Sequence, residues 1–152
     1  MLLAALALGS LACTQPPSRF GKDPCAIITK PEAEAAMGRS VSPVPFQERP
    51  DAGTPYCRYG HDSSGELGVV VNIYETERPE VVWDRWLIEG SAVPELDARS
   101  AWDPRRDKLY VIRGHFLLSF EIRNAPTPGQ GKAIGVQMAK AALLRVSTDA
   151  QK

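Results

Sequence analysis

Two apolar runs flank Gly114, the second of them alternating, and no other feature limits the possible folds of this chain as much. Leu109-Tyr110-Val111-Ile112 lies on one side of the glycine. On the other, Phe116, Leu118, Phe120 and Ile122 alternate with Leu117, Ser119, Glu121 and Arg123. Successive side chains on a strand point to opposite faces. The segment therefore reads as an antiparallel hairpin, Lys108 to Arg113 with His115 to Arg123. Its second strand is expected to bury one face and wet the other. A further strand is expected around Ser100-Ala101-Trp102, joined to this hairpin by a polar turn at Asp103 to Asp107.

The first half has a similar run. In Leu67 to Tyr74, Val69, Val71 and Ile73 share one face, while Val70, Asn72 and Tyr74 share the other. Tyr56 to Tyr59 precedes it as a shorter strand, with a turn over His61 to Gly65 between them. Val41 to Phe46 contains Pro43 and Pro45, which suits only a sheet edge.

Three helices fit between the strands. Asp23-Pro24 and Thr29-Lys30-Pro31-Glu32 are successive start signals, the second with capping-box spacing. That helix ends at Gly38, which tolerates a left-handed cap. Thr76 to Glu89 reads as a helix capped by Thr76 and ended by Gly90, with Val82, Trp83, Trp86 and Leu87 on its buried side. Thr127-Pro128 opens the last helix, running to about Val146 with Ile134, Met138 and Ala141 on one stripe. Ser91 to Arg99 reads as a loop. The expected architecture is α+β: an antiparallel sheet of about five to six strands with about three helices mainly on one face. The order suggests two helix-plus-meander halves.

The N-terminus carries an address. Met1 to Leu8 is apolar and is followed by Gly9-Ser10-Leu11-Ala12-Cys13. The run is too short to cross a bilayer as a helix, which takes about 20 apolar residues. It fits the apolar region of an export signal followed by small residues. The basic stretch that ordinarily precedes such a region is missing, so the natural start is expected upstream, or the chain is trimmed. Ser10-Leu11-Ala12-Cys13 resembles a bacterial lipobox, although Ser10 stands where leucine is preferred. Ordinary signal peptidase would cut at the same place, and a buried apolar helix in a cytosolic protein is the third reading. Cysteine arithmetic favours export. Of three cysteines, lipidation of Cys13 leaves Cys25 and Cys57, which should pair in an oxidising compartment. Two buried free thiols are the alternative. The expected division is residues 1–12 signal, 13–22 lipidated cysteine and tether, 23–146 a single domain and 147–152 a tail.

Asp23-Pro24-Cys25-Ala26-Ile27-Ile28-Thr29-Lys30-Pro31-Glu32 resembles the opening of small, uncharacterised bacterial envelope lipoprotein domains of the actinobacterial type. Cys57-Arg58-Tyr59 matches the Cys-x-Tyr that follows in them, and Trp102-Asp103 through Gly114 to Phe120 is also similar. The resemblance implies a disulfide and an envelope address. It implies no activity and no functional residues.

Candidate chemistry is sparse. The 18 basic and 18 acidic residues balance, unlike the basic footprint of a nucleic-acid binder. No metalloprotease, nucleophile-elbow or phosphate-loop motif occurs, and Gly129-Gln130-Gly131 lacks phosphate-loop spacing. His61 and Asp62 with Glu66 could bind a metal or exchange protons, but they sit at a turn that is ordinarily solvated, as does His115. Arg105, Arg106 and Lys108, with Arg113, could form a basic tip for phosphates of lipid or wall polymers. Trp83, Trp86 and Trp102 could line a ligand groove, although Trp83 and Trp86 at helical spacing also suit a core. We therefore expect a membrane-tethered binding module of the cell envelope, with no metal, cofactor or catalytic residues. Its expected partners are the membrane, through the lipid, and an envelope protein, wall or lipid component. A structural or accessory secreted protein without a small-molecule ligand is the alternative, and an enzyme the third.

Overall fold

The structure, a computed structural model, describes residues 20, 23–46, 54–60, 65–86 and 88–146. A 3-10 turn at Pro24–Ile27 is capped by the Asp23 carboxylate, which accepts from the Cys25 N–H at 3.1 Å. Then come α1 (Lys30–Met37), β1 (Pro43–Phe46), β2 (Tyr56–Tyr59) and β3 (Gly68–Glu75). The second half holds α2 (Pro79–Arg85), β4 (Arg99–Asp103), β5 (Lys108–Arg113), β6 (Phe116–Arg123) and α3 (Pro128–Val146).

All six strands form one antiparallel sheet in the order β1-β2-β3-β6-β5-β4. Each meander closes on the other through its last strand, so β3 and β6 lie at the centre. They pair along their full lengths, from Gly68 opposite Arg123 to Glu75 opposite Phe116. Both outer edges are blunted. Pro43 and Pro45 remove N–H donors from β1. On β4, Ser91 exchanges backbone bonds with Trp102, at 3.0 and 2.8 Å. Gly90 makes that approach possible, because a Cβ there would collide with the Trp102 carbonyl.

The first face of the sheet carries the main core. Val69, Val71, Ile73, Leu109, Val111, Leu118 and Phe120 are buried against α1 and α3. The α1 cap works as the spacing predicts: Glu32 accepts from both the Thr29 N–H and hydroxyl at 2.8 Å, and Gly38 closes the helix at φ 66°. α3 buries more than the expected stripe. Ile134, Val136, Met138, Ala139, Ala142, Leu143 and Val146 are all buried, while Ala141 is only partly so. A helix wedged between a sheet and another helix needs a broad apolar surface, which blurs its amphipathic pattern. Gly135 lets α3 lie close to the sheet, since a Cβ there would stand 3.3 Å from Ile122 Cδ1.

Cys25 and Cys57 form a disulfide, with Cα atoms 5.0 Å apart across 32 positions of sequence. Around it the Tyr59 hydroxyl donates to the Ile28 carbonyl at 2.9 Å. Burial pushes this phenol well above the ordinary tyrosine range. Arg145 of α3 pairs with Glu32 at 3.0 Å and donates to the Ala141 carbonyl at 3.0 Å.

Several expectations need correction. The tether was expected to reach Lys22, yet Phe20 is 0% exposed and meets Phe116 edge-on at 5.8 Å. Phe20, within the expected tether, therefore packs on the core. The second helix was expected over Thr76 to Glu89, and α2 is much shorter. Thr76 stays tied to the sheet, its N–H donating to the His115 carbonyl at 2.8 Å. At the other end Trp86 leaves helical geometry at φ −82°, ψ 0°. Gly90 accordingly does not end the helix; it precedes the Ser91 bridge. The expected loop from Ser91 to Arg99 contains that bridge and a 3-10 turn, Pro94–Leu96, with Val93 and Leu96 buried. His115 lies in the hairpin turn rather than in β6. The turn expected at His61 to Ser64 lies outside the described residues.

The largest correction concerns the wet face of β6. Leu117 and Ser119 on that face are fully buried. α2 packs there, against the sheet's second face, where Trp83, Ala101, Tyr110 and Leu117 form a separate apolar cluster. Of α1, α2 and α3, α1 and α3 share the first face, and α2 covers part of the second. The two halves match in strand order but place their helices on opposite sides.

Candidate functional site

Strand register brings one set of side chains together on the second face. Phe46 lies opposite Tyr56, which lies opposite Asn72. Asn72 in turn faces Ser119, and Ser119 faces Tyr110. This row crosses five strands. The next row toward the β5–β6 turn runs Tyr74, Leu117, Ile112, Arg99. The row on the opposite side runs Val44, Arg58, Val70, Glu121, Lys108, Asp103.

α2 covers only the β4–β5–β6 side of these rows. There Trp83 meets Tyr110 edge-on at 6.3 Å, with the Arg99 guanidinium 4.6 Å over its ring. Toward β1 the aromatic residues are only half-buried. Phe46 and Tyr56 stack at 5.0 Å, and the Arg58 guanidinium lies 4.8 Å over Phe46. Tyr74 meets Trp86 edge-on at 4.7 Å. Trp86 is 40% exposed, and it and Leu144 are the exposed large apolar side chains among the described residues. Between the aromatic groups the Asn72 amide donates to the Ser119 hydroxyl at 3.2 Å.

Burial, together with the neighbouring Tyr110 and Glu121, pushes the Tyr74 hydroxyl above its ordinary 10.0. Burial also raises Tyr110, against the opposing pull of Arg106. Both phenols are neutral at physiological pH and can donate hydrogen bonds. The surface thus offers aromatic rings for stacking or apolar contact, with neutral polar groups between them.

Trp83 and Trp86 come together on this face, as residues of α2 and its end. Trp102 does not join them: it points to the first face and is buried in the main core. The basic residues lie at the far end from Tyr74, and each has an acidic partner. Arg105 pairs with Glu89 at 3.2 Å, Arg106 with Asp103 at 3.6 Å and Lys108 with Glu121 at 3.6 Å. The buried Asp103 also accepts the Arg105 N–H at 2.9 Å, so this tip is an internally neutralised turn. Arg113 is at the other end of β5, donating to the Asp97 carbonyl at 2.9 Å.

Cys13, His61 and Asp62 lie outside the described residues, and Glu66 pairs with Arg39. Among the described residues no group of three or more His, Cys, Asp or Glu side chains could hold a metal ion. His115 is exposed at its turn. Phe46, Tyr56, Asn72, Tyr74, Tyr110 and Ser119 were not singled out from sequence. Their signal was present as strand parity, since each occupies the face that alternation assigns away from the main core.

No protein family, curated protein or solved structure matches this chain. Its class is therefore defined by the fold: a disulfide-stapled α+β domain with helices on both faces of a six-stranded antiparallel sheet.

Proposed function

We propose that this chain is an envelope lipoprotein, lipid-anchored at Cys13, whose second sheet face binds a partner in the cell envelope. The observation that carries the binding half is Trp86, 40% exposed beside Tyr74 on a face that α2 leaves partly open. Tryptophan and tyrosine are the residues most enriched at contact surfaces, because they bury large areas at little entropic cost. The address rests on the apolar run, the small residues before Cys13 and the pairing of the other two cysteines. Among the described residues no helix is long and apolar enough to cross a membrane.

Intact-mass analysis of the protein from its own membranes, without reductant, tests the address. The expected mass starts at a diacylglyceryl-modified Cys13 and lacks two hydrogens for the disulfide. Amide exchange on intact membranes against detergent-released protein tests the binding face. Protection is expected over Tyr74 to Trp86 and over Tyr56. An unchanged exchange map would favour the accessory reading instead.

A further inference from the structure

We propose that the buried Phe20 orients the domain on its membrane, and that the partner of the Tyr74–Trp86 surface is the phospholipid interface itself. The inference rests on lipid attachment at Cys13. Phe20 is fully buried and packs on Phe116, the first residue of β6. The tether is therefore fixed to one end of the sheet, that of the Gly114–His115 turn. Seven residue steps separate Cys13 from Phe20. They span at most about 25 Å. Lys108 stands opposite Glu121, five residues along β6 from Phe116, so the Asp103–Lys108 turn begins about 17 Å further along the sheet. A lipid at Cys13 holds the first end against the headgroups and leaves the second pointing away.

The aromatic surface lies at the same end. Tyr74 stands opposite Leu117, one position in from the edge, and Trp86 packs directly on Tyr74. Neutral Tyr and Trp side chains favour the membrane–water interface, where an apolar ring and a polar group are both satisfied. Charge does not explain the orientation, because exposed Glu75, Glu77, Arg78 and Arg99 bring both signs to this end. Contact made by the tether and aromatic rings should accordingly be insensitive to salt.

The test uses the full lipidated chain in vesicles of phosphatidylcholine and phosphatidylglycerol carrying a headgroup nitroxide. With Cys13 acylated and the disulfide closed, one introduced cysteine takes a fluorophore, either at His115→Cys or at Arg105→Cys. The label at 115 should be quenched several-fold more than the label at 105, at low and high salt alike. Native tryptophan emission should be quenched too, and Trp86→Phe should remove that quenching, since Trp83 and Trp102 are buried. A long Gly-Ser insertion after Ser18 should reduce the contrast between labels without disturbing the core, and combined with Trp86→Ala it should erase it. Equal quenching at 115 and 105, or unquenched tryptophan, in protein that floats with the vesicles would overturn the orientation while leaving the anchor intact. Protein that fails to float would overturn the lipid anchor, and this inference with it.

Discussion

The two faces of the sheet are built from the same strands and are closed differently. The first face is closed by α1, α3 and Phe20, and its side chains are mostly aliphatic or phenyl, with Tyr59 and Trp102 among them and few polar atoms. The second is closed by α2 over only half its width, and it mixes tyrosine, tryptophan, asparagine and serine. A strand interleaves the two sets residue by residue, so one segment can supply both the stability of the fold and a contact surface. The difference teaches that burial alone does not make a core. Ser119 is as buried as Phe120, yet it belongs to a thin, partly polar layer.

Substitution on the first face should have the largest effect. Phe120→Ala removes a fully buried ring at the centre of the main core, at a cost of about 3–5 kcal/mol. The midpoint of thermal unfolding should fall by more than about 10 °C. A small shift would mean that the first face is not the cooperative core and would erase the distinction between faces.

Reducing the Cys25–Cys57 bridge comes next. It joins the N-terminal turn to β2 across 32 positions, and its loss should cost about 3–4 kcal/mol on the chain-entropy model. Melting with and without dithiothreitol measures it. An unchanged melt would show that Tyr59, Glu32 and Arg145 hold this corner without the staple.

These features were legible to different depths. Strand alternation located β3, β5 and β6 because a run such as Val69-Val70-Val71 is read locally. Cap chemistry located both ends of α1, since Thr29, Glu32 and Gly38 act within one or two turns. What sequence left hidden was long-range. Ser119 and Glu121 gave the second face of β6 a polar look, but α2 and Asn72, from distant segments, bury and satisfy Ser119. The helical spacing of Val82 and Trp83 turned them toward the sheet, but Trp86, expected beside them on the buried side, lies past the end of the helix and is 40% exposed. Phe20 stood in a polar, proline-rich stretch, and only the tertiary fold reveals its docking on Phe116.

A smaller effect separates a joint from a face. Partial burial raises the pKa of the Glu32 carboxyl, but bonds from Thr29 and Arg145 outweigh it and hold the group below its ordinary 4.5. A lowered carboxylate pKa contributes stability above the unfolded value, and that contribution is lost as pH falls through the folded value. Glu32→Ala should cost about 1 kcal/mol at pH 7. The gap from wild type should close below pH 4.5, the unfolded reference value. A gap that persists in acid, followed by denaturant titration at several pH values, would show that the loss is one of packing.

Trp86→Ala should change stability least, by about 0.5 kcal/mol, the ordinary range for an exposed position. The side chain is 40% exposed and rests on Tyr74, and α2 ends just before it. If the second face were a core awaiting nothing, truncating its largest exposed ring would cost as much as truncating Trp83, which is buried against Tyr110 and Leu117. Equal losses for Trp86→Ala and Trp83→Ala in denaturant melts would make the two faces alike and remove the case for a contact surface. A near-silent melt for Trp86→Ala, together with lost quenching by headgroup nitroxides, would separate the part of the second face that folds the chain from the part that meets the membrane.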